Sequence, residues 1–175
     1  TVAGDGKIML WDLRSKSRER VWQAHEDQTW SVDFSPTGAL ILTAGRDGAL
    51  RLWNPETGEL FDEIVRKDGA AFAAGFSPDG ERIASGWEDG MVRIYDRTTL
   101  ELLREIDVAP GDAEHDPRPV ILSLYSPDGE AIVTETVRSR SGGGFEYDVE
   151  TGKRIQNFPP AKAFSSDGRY YVSRH

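Results

Sequence analysis

The chain has 175 residues, 38% of them hydrophobic, and a net charge of −9 from 21 Lys and Arg against 30 Asp and Glu, a length that fits one domain or a piece of a larger one. It has no cysteine for a disulfide, thiolate metal site or thiol nucleophile, and its acidity disfavours nucleic acid, whose phosphates require clustered Lys and Arg. No apolar run approaches the roughly 18 residues of a membrane span and no signal peptide is recognisable, so we expect a cytoplasmic protein without membrane contact.

Two short motifs recur along the chain with one period. The first pairs Asp-Gly with a later aromatic residue and occurs as DGKIMLWD, DGALRLWN, DGMVRIYD and a weaker GGGFEYD. Its aromatic anchors are spaced 42, 42 and 52 residues apart and are Trp11, Trp53, Tyr95 and Tyr147. The second motif occurs as FSPTG, FSPDG, YSPDG and FSSDG and keeps step with the first. Because two independent motifs share a period, the sequence predicts an array of structural repeats.

Each repeat predicts four short strands separated by tight turns. In the second repeat the strands are predicted at 29–34, 39–44, 49–54 and 59–65, with period-two alternation and turns rich in Pro, Asp and Gly. Thr1 lies ten residues before Trp11, as Thr43 does before Trp53, so the first repeat begins inside its second strand. The predicted units are 1–24, 25–66, 67–108, 109–158 and 159–175, of which the last holds two strands.

The motifs resemble those of the WD40-repeat family of β-propellers. The Trp-Asp dipeptide is intact once and varied three times, at Trp11-Asp12, Trp53-Asn54, Tyr95-Asp96 and Tyr147-Asp148. The family's Gly-His dipeptide corresponds to Ala24-His25. The resemblance implies an all-β fold of four-stranded antiparallel blades, with about four blades present as a partial propeller or fragment of a larger ring. Closure into four blades, or exchange of ends between two chains, is the alternative, since open edge strands favour self-association.

His25, Thr43 and Asp47 allow two interpretations. A histidine, a hydroxyl and a carboxylate are the components of a nucleophile triad. The resemblance instead implies that these three residues and Trp53 form the structural tetrad of a WD40 blade, which satisfies buried polar groups. We favour the tetrad, because a reactive hydroxyl needs an oxyanion hole and open access and the sequence indicates neither. We therefore expect no catalytic residue and no cofactor.

The resemblance also indicates where partners bind. In this family the loop leading into each blade and the loop between its second and third strands share the top face, which commonly holds partners. The fourth unit has an acidic loop beside a basic one, and the charged residues in them are Asp112, Glu114, Asp116, Arg138 and Arg140. They form either a docking site or a solvated ion-pair cluster. A metal at Glu114, His115 and Asp116 is disfavoured, because sequence neighbours on a loop rarely converge on one ion.

Trp87 occupies the turn position that Gly45 holds one repeat earlier. It either packs on its neighbour or contacts a partner, together with Arg46 and Glu88, because Trp and Arg are enriched at interface hot spots. Matching positions near the start of the first strand, for which we expect packing against the next blade, hold Trp30, Phe72 and Ile121.

The predicted function is a non-catalytic scaffold that binds protein or peptide partners through its top-face loops. The alternative is a regulatory or substrate-filtering propeller that forms part of a larger enzyme of the kinase or peptidase type. Both follow from the family resemblance and not from composition.

Overall fold

The computed structural model describes residues 1, 4–108, 119–136, 144–158, 161–165 and 171–173. These residues form β-strands and turns and contain no helix, and therefore none that could cross a membrane. The strands are β1 (Lys7–Asp12), β2 (Ser17–Gln23), β3 (Thr29–Phe34), β4 (Ile41–Gly45), β5 (Ala49–Trp53), β6 (Leu60–Val65), β7 (Ala71–Phe76), β8 (Arg82–Trp87), β9 (Met91–Asp96), β10 (Leu102–Asp107), β11 (Val120–Tyr125), β12 (Ala131–Thr136), β13 (Gly144–Asp148), β14 (Arg154–Phe158), β15 (Ala161–Phe164) and β16 (Tyr171–Ser173).

The strands form five antiparallel sheets in chain order. Strands β3–β6, β7–β10 and β11–β14 form three four-stranded sheets, in which sequential strands are neighbours. Strands β1–β2 and β15–β16 form two-stranded sheets at the ends of the described chain. The first strands β3, β7 and β11 contact the neighbouring sheets, as the inner strands of propeller blades do. The predicted all-β fold of four-stranded antiparallel blades is confirmed, and the propeller is not closed across the described residues.

The tight turns between first and second strands follow from their sequence. In the turn after β7, the Ser77 carbonyl accepts a hydrogen bond from Gly80 N at 2.9 Å, and Gly80 has a φ of +74°. Glycine adopts this left-handed conformation at little cost. Asp79 Oδ1 accepts from Ser77 Oγ at 2.5 Å and from Glu81 N at 2.9 Å. The Ser-Pro-Asp-Gly motif therefore closes its own turn.

The core lies between neighbouring sheets. Leu42, Leu50 and Leu52 from the β3–β6 sheet are each at most 2% exposed and pack with Ile83 and Trp87 from the β7–β10 sheet. A second cluster joins the β7–β10 and β11–β14 sheets in the same way. Each fully buried aliphatic side chain stabilises the fold by about 1.5–3 kcal/mol relative to an exposed one. Each sheet therefore depends on its neighbour for stability.

Candidate partner-binding face

The loops divide between two faces because the strands are antiparallel. We call the top face the end that carries the loops before β3 and β7 (24–28 and 66–70) and the turns after β4 and β8 (46–48 and 88–90). The bottom face carries the turns between first and second strands and between third and fourth strands. The partner-binding candidates predicted from the sequence belong to the top face.

The structure brings His25, Thr43, Asp47 and Trp53 together. His25 Nδ1 lies 2.8 Å from Asp47 Oδ1, and His25 Nε2 lies 2.8 Å from Thr43 Oγ1. Trp53 Nε1 donates to Thr43 Oγ1 at 3.0 Å. With the ring proton on Nδ1, the imidazole donates to the Asp47 carboxylate and Nε2 accepts the hydrogen of the Thr43 hydroxyl. The network links the loop before β3 to strands β4 and β5 and to the turn between them.

This network has the atom order of a nucleophile triad but no access for a substrate. Thr43 is 0% exposed and His25 is 1% exposed. The Thr43 oxygen that would attack already accepts the indole hydrogen of Trp53. A nucleophile must reach the reacting carbon, and this one is enclosed by its own blade. The geometry therefore favours stabilisation of the blade over catalysis by these residues.

An arginine extends the network to the outer strand. Arg51 Nη1 lies 2.7 Å from Asp47 Oδ2 and also contacts the Ala24 carbonyl at 3.0 Å, while Arg51 Nε donates to Glu63 Oε2 at 2.9 Å. Burial raises the pKa of Asp47, but the hydrogen bonds from Arg51 and His25 outweigh it, so that pKa lies below its ordinary value. Asp47 therefore stays ionised at neutral pH.

The next blade repeats this arrangement at the same spacing. Arg93 is 4% exposed and lies between two carboxylates, with Nη1 3.1 Å from Asp89 Oδ1 and Nε 2.7 Å from Glu105 Oε1. This Asp, Arg and Glu set was not among the residues predicted from the sequence. The repeat contained a signal for it, because Asp47, Arg51 and Glu63 lie 42 residues before Asp89, Arg93 and Glu105.

We expect the stability of the chain to fall as the pH is lowered below about 6.5 because of His25. Burial lowers its pKa in the folded state, and the contact with Asp47 only partly offsets this effect. Above the unfolded value of 6.5 the group is neutral in both states and has no effect on stability. Below it, the unfolded chain binds a proton that the folded chain does not, which costs at most about 1.4 kcal/mol per pH unit.

The measurement compares the free energy of unfolding at pH 7.5 and pH 5.5 in the parent chain and in His25→Asn. The variant should lose less free energy of unfolding between these pH values than the parent chain does, although it is less stable than the parent at pH 7.5. His115 and His175 are present in both proteins, so their contributions cancel in the comparison. An equal loss in both proteins would contradict the assignment to His25.

Trp87 is buried in the structure. It is 1% exposed, and its Nε1 donates to Ser85 Oγ at 2.7 Å. The guanidinium carbons of Arg66 and Arg93 each lie 5.5 Å from the centre of the Trp87 ring. Trp87 therefore presents no exposed ring to a partner in this conformation.

Trp87 takes the place that His25 holds in the preceding blade. Ser85 is the counterpart of Thr43, and its hydroxyl is covered by Trp87 from the end of strand β8 instead of by a histidine from the loop. The position 42 residues after His25 holds the exposed Lys67, so no imidazole competes for this space. In the blade that has the histidine, a Cβ on Gly45 would lie 2.3 Å from His25 Nδ1. One blade thus fills this space with His25 and has glycine at the end of its second strand. The next blade has no histidine in the loop and fills the space with Trp87 at the end of its second strand.

The other predicted partner-binding residues fall into two groups. Arg46 and Glu88 are exposed on the top-face turns, where Arg46 Nη1 lies 3.6 Å from Asp27 Oδ2 and Glu88 Oε2 accepts from Ala70 N at 3.0 Å. The rest lie outside the described residues and are Asp112, Glu114, Asp116, Arg138 and Arg140. The described residues contain no group of three or more His, Asp or Glu that could hold a metal ion.

An aromatic pair bridges two blades at the top of their first strands. The rings of Trp30 and Phe72 are stacked, with centres 4.1 Å apart and an interplanar angle of 18°. The predicted packing against the next blade is confirmed for Trp30, whereas Phe72 contacts the preceding blade through this pair. Both side chains nevertheless remain partly exposed, and Trp30 Nε1 donates to Gln28 Oε1 at 2.9 Å. The pair is therefore a fixed apolar surface at the edge of the top face.

A backbone irregularity places this pair. The register of β3 against β4 shifts between Thr29 and Ser31, and the register of β7 against β8 shifts between Ala71 and Ala73. A bulge leaves one residue without a partner in the ladder and redirects its side chain. The third inner strand has the same shift around Ile121, between Val120 and Leu122. Sequence reasoning matched these positions by their spacing but did not foresee the bulge.

Comparison with known proteins gives one family. Residues 16–54 and 68–96 match the family model described as WD domain, G-beta repeat. Eukaryotic translation initiation factor 3 subunit I from Aspergillus oryzae is 36% identical over 59 residues, which are 34% of this chain and 18% of the relative. Protein transport protein SEC31 from Pyricularia oryzae is 41% identical over 59 residues, or 33% of this chain and 5% of that relative. Protein groucho from Drosophila melanogaster is 34% identical over 58 residues, 33% of this chain and 8% of the relative.

The matched stretch thus spans less than a fifth of each of these three relatives. The family-model matches contain the aromatic anchors Trp53 and Tyr95, which lie 42 residues apart. The repeated motifs, the four-stranded blades and these matches together show that residues 16–54 and 68–96 of the chain are WD40 repeats.

Proposed function

We propose that this chain is a non-catalytic interaction module that holds a protein or peptide partner on its top face, against the stacked rings of Trp30 and Phe72. The observation that carries the proposal is this pair, partly exposed and fixed by stacking and by the hydrogen bond to Gln28. Large aromatic side chains dominate the binding energy of protein interfaces. A pair that is already ordered loses little entropy when a partner covers it.

The surroundings of the pair support the same function. The top-face loops beside it carry ion pairs at Arg46–Asp27, 3.6 Å, and Arg66–Asp68, 2.6 Å. A small apolar centre with a charged rim is the usual composition of a protein interface. The charged rim contributes to the choice of partner and to the association rate more than to affinity.

The relatives support an interaction role as well. Their names describe a translation initiation factor subunit, a protein transport protein and groucho, so the shared repeats occur in proteins with different tasks. This variety favours a common scaffold over a common chemistry. A cytoplasmic location is part of the same proposal.

We expect the double variant Trp30→Ser, Phe72→Ser to lose partner binding. Removal of both rings takes away the apolar centre, which should lower the amount of captured partner at least tenfold, a change of about 1.4 kcal/mol or more. The measurement is quantitative mass spectrometry of proteins retained by the immobilised chain. The matched control is Phe61→Ser, which removes a ring that is 63% exposed on the outer strand β6.

Folding has to be separated from binding in this experiment. Thermal melts of all variants show whether the blades remain intact, and the milder variant Trp30→Leu, Phe72→Leu keeps apolar packing between the sheets while it removes the flat rings. Loss of the same partners in both double variants but not in the Phe61 control supports the top-face site. Equal capture by all four proteins would refute it.

A further inference from the structure

The outer strands of three blades each expose an apolar residue at a break in the ladder. The register of β6 against β5 passes from Asp62 to Leu60 and skips Phe61. The same shift skips Leu103 in β10 and Ile155 in β14. The three skipped side chains are 63%, 50% and 53% exposed, and they lie 42 and 52 residues apart, as the aromatic anchors of these blades do. The exposed apolar residue is therefore a repeated feature of the blades.

The first blade shows that the bulge itself does not require an apolar side chain. The register of β2 against β1 skips Glu19, which lies 42 residues before Phe61. A charged residue at an exposed bulge protects an open edge from unwanted pairing. The Phe, Leu and Ile of the other three blades leave apolar surface in water instead, as an interaction site does.

Two neighbouring outer strands combine this apolar position with charge of one sign. We call residues 54–65 and 97–107, which form β6 and β10 and the turns that lead into them, the rim. Leu60 and Leu102, next to the bulges, are exposed as well. Every exposed charged residue of the rim is acidic, and these residues are Glu56, Glu59, Asp62, Glu63, Glu101, Glu105 and Asp107.

Part of this charge has no counterion close by. Glu63 and Glu105 each pair with an arginine of the third strand of their blade. In the part of the chain that the structure describes, no ion pair reaches Glu59, Asp62 or Glu101. The rim therefore has a local excess of negative charge beside its apolar side chains, which favours a basic partner.

The third outer strand has the bulge without the acidic surroundings. Lys153 and Arg154 precede Ile155 in the chain, and both are exposed. Residues 151–156 contain no Asp or Glu. Strand β14 therefore provides an internal comparison, in which the same apolar position has basic neighbours.

The bulges indicate that a partner binds through side chains. Strands β6 and β10 are the last strands of their sheets and pair on one side only. A bulge interrupts each open edge, so an added strand would not find a continuous ladder there. A helix needs no such ladder, because it presents apolar residues on one face and charged residues beside them.

One helix is long enough to contact both outer strands. The two sheets share a buried core, and packed sheets lie about 10 Å apart. A helix of about 18 residues is about 27 Å long. It can therefore pass from one blade of the rim to the next.

We propose that the rim binds a basic amphipathic helix of a partner protein, whose apolar face contacts Phe61 and Leu103 and whose Lys and Arg side chains lie beside the acidic residues. The same negative charge repels an anionic membrane and the rim of a second copy of the chain. The rim lies on outer strands and the Trp30–Phe72 pair on inner strands, so this proposal does not depend on the top-face function. A partner that only the Phe61→Ser chain fails to retain would belong to the rim.

The test measures fluorescence polarisation of two labelled peptides with the purified chain at about 0.15 M salt, where attraction between charges is screened beyond about 8 Å. One peptide of about 18 residues has Leu at helical spacing on one face and Lys and Arg on the other. The second peptide has the same composition in an order that spreads Leu around the helix. We expect the first peptide to bind at least tenfold more tightly, a difference of about 1.4 kcal/mol or more.

Two variants locate the peptide on the rim. Phe61→Thr with Leu103→Thr removes both apolar side chains but keeps residues that suit a strand, and it should weaken binding at least tenfold. The matched control is Ile155→Thr, which removes the apolar residue of the third bulge, where the neighbours are basic. This control should change the affinity less than about twofold.

A second pair of variants tests the charge of the rim. Glu59→Gln with Glu101→Gln removes two charges next to the apolar residues and should weaken peptide binding about threefold. Its matched control, Glu26→Gln with Glu81→Gln, removes two exposed charges from other parts of the surface and should leave binding unchanged. Melting curves of every variant establish that the blades are folded before affinities are compared.

Several outcomes would overturn the proposal. These are equal binding of the two peptides, an unchanged affinity of the Phe61 and Leu103 variant, and an equal loss in the Ile155 control. Sedimentation of the chain with vesicles rich in phosphatidylserine would identify a membrane as the occupant instead. A native mass that falls from dimer to monomer in the Phe61 and Leu103 variant would identify a second copy of the chain.

Discussion

Replacement of Thr43 by valine is expected to lower the free energy of unfolding by roughly 2–4 kcal/mol. The Thr43 hydroxyl is bonded to two buried rings, at His25 Nε2 and Trp53 Nε1, and it is itself 0% exposed. Valine keeps the volume but leaves two polar nitrogen atoms without a partner. The measurement is chemical denaturation of both proteins at pH 7.5, followed by intrinsic fluorescence.

The chain contains a matched control for this substitution. Thr134 lies at the corresponding place in strand β12 and is 1% exposed, but among the residues that the structure describes its hydroxyl contacts only the Phe145 carbonyl, at 3.3 Å. Thr134→Val removes the same atoms without stranding two ring nitrogens, so we expect a cost of about 1 kcal/mol. Equal costs at the two positions would show that the network adds nothing to the burial of the side chain.

The second large effect is expected for Gly45→Ala. A Cβ at this position would lie 2.3 Å from His25 Nδ1 and 2.4 Å from His25 Cγ, far inside contact distance. The imidazole must then move, which breaks its contacts with Thr43 and Asp47. We expect a loss of roughly 3 kcal/mol, from overpacking together with the broken hydrogen bonds. Thermal and chemical unfolding measure it.

A double-mutant cycle identifies the cause. In the His25→Ala background the imidazole is gone and only the movable Asp47 Oδ1, 2.9 Å from the new Cβ, lies close, so Gly45→Ala should cost less than about 1 kcal/mol and the two substitutions should couple by roughly 2 kcal/mol. The same background should also accept Gly45→Trp, which copies the arrangement of Trp87 in the next blade. Additive costs would show that the two residues do not compete for the same space.

Much of the fold was predictable from the sequence because its determinants are local. Turn residues at fixed offsets and alternation within each strand are enough to locate the blades, and a fixed spacing from Trp53 is enough to align Thr43 and Asp47 with the tetrad positions. The ladder of β4 and β5 then places these side chains where the resemblance implies them. Local patterns could therefore predict the strands and the network between them.

The burial of Trp87 could not be predicted in this way, because it depends on the type of residue found in another segment, the loop before β7. Its burial follows from the lack of a histidine in the preceding loop, where Lys67 stands. A pattern around Trp87 alone carries no such information, and an aromatic residue in a turn is equally consistent with an interface. The burial could be predicted only by comparing two positions at once: Gly45 with His25 in one repeat, and Trp87 with Lys67 in the next.

Sequence periodicity could not predict the bulges around Trp30 and Phe72 either. Period-two alternation predicts which residues share a face, but one extra residue in a strand breaks that rule at a single point. The stacked pair therefore became recognisable as an exposed surface only from the register of strands β3 and β7 against their neighbours.

The most direct test of the proposed top-face function is hydrogen–deuterium exchange of the chain with and without a captured partner. We expect the partner to slow amide exchange in residues 25–30 and 66–72, around the Trp30–Phe72 pair, and to leave the outer strands β6 and β10 unchanged. Protection confined to the outer strands, or no difference in the top-face loops at a saturating partner concentration, would contradict the account.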